Sequence, residues 1–395
     1  MGGVGSCPMT EPSPLTRVVR AGVGQDDVHG AVVPPIHLAS TYSFSGFGRP
    51  RTHDYSRSGN PTRSILAEAL AQLESGAGAV VTASGMAAVT TCLHALVPAG
   101  GRVVAPFDCY GGTWRLLDAL ARRGTITLQL VDLSDPAAAA AAITPDTDLV
   151  WVETPSNPLL RITDLAAVAA RSHAAGALVV ADNTFATPVL TRPLELGADV
   201  VVHSTTKYIN GHSDVVAGVA VAADPDVVAE LLWWANTLGC TGGAFDSYLT
   251  LRGLRTLQLR VRAAQDNATA VVAALVGHPA VHAVHYPGLP GHPGHDLAAR
   301  QQAGFGAMVT FELAGTAQVE AFLEGLDCFS LAESLGGVES LVSHPGTMTH
   351  AAMAPEVRAA AGITDGMLRL SVGIEDVADL VADLKEGLDR AAALG

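Results

Sequence analysis

Five short apolar runs, separated by segments of helical length, constrain the fold of this chain more than any other feature. They are AVVTA, RVVAP, DLVWVE, ALVVADN and ADVVVHS, at residues 79–83, 102–106, 148–153, 177–183 and 198–204. Each run is rich in valine and apolar on both faces, which is typical of a parallel strand covered by helices on both sides. The Ala- and Leu-rich segments between the runs predict those helices. The first part of the chain is therefore expected to form a parallel α/β sheet.

Polar residues follow the apolar runs where the strands should end. They are Ser84 with Gly85, Glu153, Asp182 with Asn183, and Ser204. In open α/β sheets the ligand crevice lies beyond the carboxyl ends of the strands. We therefore expect these residues to converge on one site.

A chain of 395 residues is longer than a single hydrophobic core usually accommodates, so we expect more than one domain. The stretch from about 15 to 60 is rich in Pro, Gly, Ser and Tyr and has little periodicity, which predicts an arm over residues 1–57 that contacts a neighbouring subunit. Residues 58–252 then form the large domain, in which a helix is predicted to begin at Pro61.

Residues 253–395 are expected to form a smaller α/β domain. Its first signals are a long helical stretch over 252–277 and a probable strand over 306–313. Neither part contains an apolar run of the ~20 residues that span a bilayer. The first 17 residues lack the apolar segment of a signal peptide and are expected to be a short disordered lead.

Charge and cysteine usage limit the classes of partner and compartment. The chain has 23 Lys and Arg residues against 38 Asp and Glu residues, a net charge of −15, which disfavours nucleic acids and anionic membranes. The five cysteines are odd in number and widely spaced, with no CxxC pair. This pattern predicts unpaired thiols in a reducing compartment, with the cytoplasm as the default.

Lys207 stands at the end of an apolar strand, within VVHSTTKYINGHSD, where its charge is costly. Ser204 and Thr206 alternate beside it, so their hydroxyls can face one anion. Asp182 ends a neighbouring predicted strand, and the segment at 83–88, ASGMAA, opens a helix whose free backbone amides suit a phosphate. A lysine, a phosphate cradle and a strand-end aspartate are what pyridoxal phosphate (PLP) requires. The alternative is a solvated surface lysine.

Longer motifs carry a family resemblance over almost the whole chain, from about residue 15 to the end. YSRSGNPT, SGMAA, DCYGGT, ETPSNPLLR, DNTF, HSTTKYINGHSD, AESLGGVESLVSHPGTMTH and LRLSVGIED together resemble the Cys/Met-metabolism family of PLP enzymes. WWANTLGCTGGAFDSYLTLRGLRTL and AARQQAGFGAMVTFEL resemble its bacterial cystathionine γ-synthase branch. The resemblance implies the fold-type I architecture, with a large domain containing a mostly parallel seven-stranded sheet, a smaller C-terminal α/β domain and an N-terminal arm.

The resemblance also assigns roles at the cofactor ring. Lys207 would hold PLP covalently and then shuttle protons, and Asp182, as a carboxylate, would keep the pyridine nitrogen protonated. Tyr110 would stack on the ring and assist the proton transfers, and Asn157 would donate to the ring oxygen. Each residue also has a purely structural alternative. Asp182 could be a helix N-cap, and Tyr110 could be an ordinary core tyrosine. Asn157 could be a turn residue, because Asn-Pro is a turn signal.

A phosphate cradle shared between subunits is implied in the same way. Its members would be Gly85 and Met86 through backbone amides, Ser204 and Thr206 through hydroxyls, and Tyr55 and Arg57 from the adjacent subunit. A guanidinium can make a bidentate contact with a phosphate, which a lysine ammonium cannot make. The resemblance thus implies a dimer as the minimum unit and a homotetramer made of two dimers.

Substrate contacts are implied at five further positions. Arg369 would bind the α-carboxylate, and Ser334 would orient substrate and lysine. Glu333 would hold the amino group of the distal cysteine, and Arg115 would meet a distal carboxylate. At the position of Ser58, the enterobacterial type of synthase has a second arginine that could bind a succinyl carboxylate. The serine in this chain therefore disfavours the succinyl ester of homoserine as substrate and leaves the acetyl ester open. Arg369 could instead be structural.

The implied reaction is replacement of the acyl group of O-succinyl- or O-acetyl-L-homoserine by L-cysteine, giving L-cystathionine. Gly112 stands where methionine γ-lyases carry a cysteine, which argues against that activity. The alternatives are γ-elimination of cystathionine, or γ-replacement with another nucleophile. A nucleotide-dependent oxidoreductase is disfavoured because no GxGxxG follows the first strand, and a scaffold without catalysis because no catalytic position is vacant.

Two other signals are set aside. The histidines at 282, 285, 292 and 295 are spaced like zinc ligands, but no cysteine or acidic residue lies among them, and prolines and glycines favour a solvated loop without metal. Cys109, beside Tyr110, is interpreted as a small packing residue because no base is visible near it in the sequence.

Overall fold

The computed structural model describes residues 12–351 and 355–394, and its larger sheet has seven strands in the order β1-β7-β6-β5-β4-β2-β3. The strands are β1 Gly78–Thr82, β2 Arg102–Pro106, β3 Thr127–Val131, β4 Leu149–Glu153, β5 Leu178–Asp182, β6 Val200–His203 and β7 Gly218–Ala222. Strand β7 is antiparallel to both of its neighbours, β1 and β6. The other pairings are parallel, so the six strands other than β7 all run in the same direction. The predicted mostly parallel seven-stranded sheet is confirmed.

Helices cover both faces of this sheet, which explains why its strands are apolar throughout. The helices up to the second sheet are α1 Pro14–Val19, α2 Pro61–Glu74, α3 Gly85–Leu96, α4 Gly111–Arg122, α5 Pro136–Ala142, α6 Leu165–Ala175, α7 Thr187–Leu190, α8 Pro225–Leu238, α9 Ala244–Leu254 and α10 Leu257–Leu275, with a 3-10 turn at Pro193–Leu196. Val103 and Trp151 pack with residues of α3 and α8, whereas Val104 and Val152 pack with α5 and α6. Successive strand residues point to opposite faces, so both faces are buried.

A second sheet of five strands has the order β10-β11-β12-β9-β8. Its strands are β8 Ala283–His285, β9 Met308–Glu312, β10 Ser330–Leu331, β11 Leu341–Ser343 and β12 Met367–Ser371. The accompanying helices are α11 His295–Gln301, α12 Thr316–Leu323, α13 Pro355–Ala360 and α14 Val377–Ala392. One hydrophobic cluster runs from α2 through α10 to β9, β12 and α14, so the second sheet packs continuously onto the rest of the chain.

Two local predictions are wrong, and a third is confirmed with one break. The expected helical stretch over 252–277 is helical over most of its length, in the end of α9 and in α10, but it is interrupted between Leu254 and Leu257. The histidine-rich stretch is not simply a solvated loop: His285 lies on β8 with its Nε2 2.8 Å from Glu312 Oε1, and His292 is buried. Within the supposed disordered lead, residues 14–17 belong to α1, whereas residues 1–11 lie outside the described part of the chain.

The helix predicted to start at Pro61 is confirmed. Asn60 caps it by accepting a hydrogen bond from the Arg63 amide, and proline occupies its first position. In the part of the chain that the structure describes, no helix is both long and apolar enough to cross a membrane.

Candidate active site

A cavity of about 330 Å³ opens at the carboxyl ends of the parallel strands. Its lining includes residues from the ends or following turns of β1, β4, β5 and β6: Ser84, Gly85, Met86, Glu153, Asp182, Thr184, His203, Ser204, Thr206 and Lys207. The second sheet and its loops add Glu333, Ser334, Thr349 and Arg369. The predicted convergence of strand-end polar residues is therefore confirmed except for Asn183, which is buried away from the cavity and donates from Nδ2 to Glu74 Oε1 at 3.0 Å.

Lys207 lies in the turn after β6 and reaches across the cavity toward the second sheet. Its Nζ donates a hydrogen bond to Ser334 Oγ at 2.8 Å. Ser334 has a φ of +99°, an unusual value for a residue with a side chain, and this backbone conformation accompanies the contact. Burial, assisted by the positive charge of Arg369 and opposed by Glu333, lowers the pKa of Lys207 to about 8. The alternative interpretation of Lys207 as a solvated surface lysine is therefore wrong.

Two carboxyl groups lie side by side at the ends of adjacent strands. Glu153 of β4 pairs in register with Asp182 of β5. Burial raises the pKa of Glu153 well above its ordinary value, and the neighbouring Asp182 adds to this shift. Burial also raises the pKa of Asp182, against hydrogen bonds from Thr184 and the charge of His203. Glu153 was visible in the sequence only as a strand-end acid, without an assigned role.

The start of α3 and the turn after β6 approach each other closely. Ser84 caps α3 by accepting a hydrogen bond from the Ala87 amide at 3.0 Å. A Cβ atom added to Gly85 would lie 2.7 Å from Ser204 Cβ, so glycine is needed at that position. The first-turn amides of Gly85 and Met86 lack intrahelical partners by geometry. Together with the Ser204 hydroxyl, these amides fit a phosphate dianion. The Thr206 hydroxyl also borders the cavity, but it donates to the Ala217 carbonyl oxygen at 3.2 Å and accepts from the Ala217 amide at 3.0 Å.

Arg369 projects from β12 and is 2% exposed. Its Nη1 donates to Asn157 Oδ1 at 2.9 Å and its Nη2 donates to the Ser334 carbonyl oxygen at 3.0 Å. Its Nε has no hydrogen-bond partner among the described residues. A buried guanidinium held in this way, with one donor unused, suits a carboxylate ligand. Because Asn157 Oδ1 accepts from Arg369, the Asn157 amide nitrogen remains available to donate.

Tyr110 borders the cavity at the start of α4 and is 43% exposed. Its backbone amide donates to Glu153 Oε2 at 2.7 Å. A Cβ atom at Gly112 would lie 2.5 Å from the Tyr110 ring, so the absence of a side chain there permits this ring position. The adjacent Cys109 is buried, and burial raises the pKa of its thiol well above the ordinary value, which agrees with a packing role.

Four predicted site residues do not line the cavity formed by the described residues of one chain. Arg57 donates from Nη1 to the Asn236 carbonyl oxygen at 3.2 Å, and its guanidinium lies 5.7 Å from the centre of the Tyr55 ring. Ser58 Oγ donates to Asp54 Oδ1 at 2.8 Å, and Arg115 is exposed on α4.

Several cavity residues were given no role in the sequence analysis. Thr184 and Phe185 belong to DNTF, and Thr349 belongs to GTMTH. Both segments contributed to the family resemblance, but these three residues were not assigned a role. His203 precedes the hydroxyl-rich turn and contacts Glu74, 129 residues away in sequence. Residues that far apart in the sequence share no local pattern, so the contact between His203 and Glu74 could not be predicted from the sequence.

Comparisons with known proteins agree over almost the whole chain. The model of the Cys/Met metabolism PLP-dependent enzyme family matches residues 15–389. Cystathionine gamma-synthase of Escherichia coli is 58% identical over 381 residues, covering 96% of this chain and 98% of that protein. Cystathionine gamma-lyase of Dictyostelium discoideum is 46% identical over 387 residues, covering 97% of this chain and 100% of that protein. The crystal structure of cystathionine gamma synthase from Xanthomonas oryzae pv. oryzae in complex with aminoacrylate and cysteine matches with a TM-score of 0.96 and 57% identity, covering 97% of this chain and 100% of that one.

Proposed function

The chain belongs to the Cys/Met metabolism PLP-dependent enzyme family, and from that premise we propose that it replaces the acyl group of an O-acyl-L-homoserine by L-cysteine to form L-cystathionine. The observation that carries this proposal is the convergence of Lys207, Asp182 and Arg369 on one cavity. The synthase reaction is favoured over γ-elimination because identity to the synthase of Escherichia coli, 58%, exceeds the 46% to the lyase of Dictyostelium discoideum.

PLP, when bound, supplies an aldehyde for the amino group and a ring that withdraws electrons from the carbon next to it. Asp182 lies on β5 and offers a carboxylate to the pyridine nitrogen. Gly85 and Met86 offer amides and Ser204 offers a hydroxyl to the phosphate, and Thr206 offers its hydroxyl if it releases the Ala217 carbonyl oxygen. These assignments are supported by the close approach of α3 to the turn after β6.

Lys207 is the proposed proton carrier. With a pKa of about 8, roughly a tenth of its free amine is neutral at pH 7, whereas an amine at the ordinary 10.5 would be neutral to only about 0.03%. Burial therefore raises the population of the basic form about 300-fold. The Ser334 hydroxyl, at 2.8 Å, holds Nζ toward the cavity, where it can take a proton from one substrate carbon and return it to another.

Arg369 is the proposed site for the substrate α-carboxylate. Asn157 and the Ser334 carbonyl orient its guanidinium, so little side-chain freedom remains to be lost when a carboxylate binds. Glu333 borders the same cavity and is proposed to hold the amino group of the incoming cysteine. Arg115 is proposed to meet a distal carboxylate, although this requires movement or a contribution from another subunit.

We also propose that residues 1–57 form an arm on a neighbouring subunit and bring Tyr55 and Arg57 to its phosphate site. Exposed apolar side chains in this segment support such docking, among them Val28, Val32, Leu38, Phe44 and Phe47. The proposed assembly is a homotetramer of two dimers with shared active sites. The division into a large domain over 58–252 and a small domain over 253–395 is part of the same proposal.

A cytoplasmic location is proposed on the cysteine usage. Cys92, Cys109, Cys240 and Cys328 are unpaired within the described residues, and the fifth cysteine, Cys7, lies outside them. Unpaired thiols are typical of a reducing compartment.

An assay of both directions tests the reaction. Purified enzyme is given cysteine with O-succinyl- or O-acetyl-L-homoserine, and separately cystathionine alone. Cystathionine formation from at least one ester is expected to exceed cystathionine breakdown. The opposite ranking would favour γ-elimination and would overturn the proposed synthase reaction.

A further inference from the structure

Arg260 is a buried cation beside the turn that carries Lys207. It lies in the first turn of α10 and is 7% exposed. Its guanidinium donates to four neutral acceptors, which are the carbonyl oxygens of Tyr208, Ile209 and Gly253, at 2.7, 3.2 and 2.8 Å, and Thr256 Oγ1, at 3.2 Å. Burial lowers the pKa of Arg260 to about 10, and no charged group among the described residues opposes this effect. A buried charge without a counterion is costly, so these hydrogen bonds must compensate the loss of solvent.

Two of these acceptors are the carbonyl groups that directly follow Lys207 in the chain. Within the turn after β6, the Gly211 amide donates to the Lys207 carbonyl oxygen at 2.8 Å. The carbonyl oxygens of Tyr208 and Ile209 accept no backbone hydrogen bond in the part of the chain that the structure describes. Because a buried carbonyl group needs a partner, Arg260 supplies what the backbone of this turn does not.

Two glycines permit the close approach of α9 and α10 to this turn. Gly211 has a φ of +71°, and a Cβ atom there would lie 1.9 Å from Arg260 Nη1. A Cβ atom at Gly253, near the end of α9, would lie 2.1 Å from the Asn210 carbonyl oxygen. The end of α9 and the start of α10 therefore enclose the turn, and Arg260 connects all three through hydrogen bonds.

The turn also contacts the loop that holds Ser334. The Val338 amide donates to the Gly211 carbonyl oxygen at 3.0 Å. The 2.8 Å contact between Lys207 Nζ and Ser334 Oγ therefore depends on where the turn lies between α10 and this loop. Arg260 is the side chain that ties the turn to α10.

We propose that Arg260 is a positioning residue for Lys207: by binding the two carbonyl groups that follow the lysine, it fixes the turn so that Nζ points into the cavity beside Ser334. The charged groups that act on the Lys207 ammonium are Arg369 and Glu333, so Arg260 acts through the geometry of its hydrogen bonds. The proposal rests on the proposed function only in making Lys207 the proton carrier and the attachment point of PLP.

The test measures the Lys207 amine in the full chain freed of PLP, whose only other lysine is Lys385, an exposed residue of α14. Competitive acetylation by acetic anhydride over a range of pH, followed for each peptide by mass spectrometry, gives the pKa of Lys207 with Lys385 as the internal reference. Arg260→Gln has one amide in place of the guanidinium and cannot make all four contacts, so the turn can move and Nζ gains solvent. The pKa of Lys207 should then rise from about 8 toward 10.5, and each unit of that rise makes the neutral amine about tenfold rarer at pH 7.

The PLP-loaded variant gives a second reading. Its kcat should fall while KM for the homoserine ester stays near the wild-type value, because Arg369 keeps its contacts. A change in KM alone would contradict a role at Lys207.

Arg102→Gln is the matched control. Arg102 lies on β2 with 17% of its side chain exposed, and it donates to Asp146 Oδ1 at 2.9 Å and to the Ala142 carbonyl oxygen at 3.1 Å. It does not line the cavity. This variant should lose thermal stability while Lys207 titrates as in the wild type. Equal shifts of the Lys207 titration in Arg260→Gln and Arg102→Gln, or no shift in Arg260→Gln, would overturn the proposal.

Arg260→Lys provides a second route if Arg260→Gln does not fold. It keeps the positive charge, but an ammonium cannot bridge the same set of carbonyl groups. We expect a smaller rise of the Lys207 pKa in the same direction, and a wild-type titration would overturn the proposal. An enzyme that passes these tests but makes no cystathionine would instead overturn the proposed reaction, since the labelling uses neither PLP nor substrate.

Discussion

Arg369 offers the sharpest test of how this site binds its substrate, because its geometry and its charge can be changed separately. Arg369→Lys keeps a positive charge but removes the planar pair of donors that Asn157 and the Ser334 carbonyl orient at 2.9 and 3.0 Å. The ammonium can make one contact with the substrate carboxylate where the guanidinium can make two. Arg369→Gln removes the charge as well.

The size of the loss follows from the contact that disappears. A hydrogen bond to a charged group contributes about 1.5–3 kcal/mol. At 1.4 kcal/mol for each factor of ten, Arg369→Lys should reduce kcat/KM for the homoserine ester by about 10- to 150-fold. The side chain is 2% exposed, so solvent cannot replace the lost contact.

The assay compares the ester with an analogue whose α-carboxylate is a carboxamide, at saturating cysteine. Arg369→Lys should reduce kcat/KM for the carboxylate substrate and change it little for the carboxamide. An equal loss with both substrates would mean that Arg369 supports the fold of the site and does not bind the carboxylate. The thermal midpoint and the PLP content of the variant control for misfolding.

Three further changes have defined outcomes. Glu333→Gln removes the negative charge that raises the pKa of Lys207, so the acid limb of the pH–kcat profile should move to lower pH than in the wild type; a shift to higher pH would contradict this sign. Ser58→Arg should improve use of the succinyl ester relative to the acetyl ester, measured as the ratio of kcat/KM, and an unchanged ratio would refute the interpretation of that position. Gly218→Ala should destabilise the fold by about 1–3 kcal/mol and weaken PLP binding, because its Cβ would lie 2.3 Å from a backbone oxygen at the start of α3. Gly291→Ala, where nothing lies within 4 Å, is the control for thermal midpoint and PLP affinity, and equal losses in both variants would contradict the steric explanation.

Most of the large sheet could be predicted from local sequence. Strands buried on both faces require apolar residues at every position, and this requirement is visible within five consecutive residues, as in Leu149–Glu153. Strands β3 and β7 were not identified from their own residues. The β3 segment, Thr127–Val131, is only partly buried, so its composition is less distinctive. The β7 segment, Gly218–Ala222, is fully buried, but its small residues do not exclude a helix.

The candidate site was predictable to the extent that its residues lie in motifs or at strand ends. Lys207, Asp182 and Ser204 were found because a charge or a hydroxyl at the end of an apolar strand is unusual. Glu153 received no role, since its position beside Asp182 depends on which strands are neighbours. Sequence order does not reveal that β4 pairs with β5 in this register.

The sequence by itself determined the class of sheet, the lysine and the family, because each of these depends on residue types within a short segment. Only the tertiary structure decided which distant groups meet. It brings Ser334 to Lys207 across 127 positions and His203 to Glu74 across 129. Such contacts depend on the register of strands and the packing of helices, which are set by the whole core and leave no local pattern in the chain.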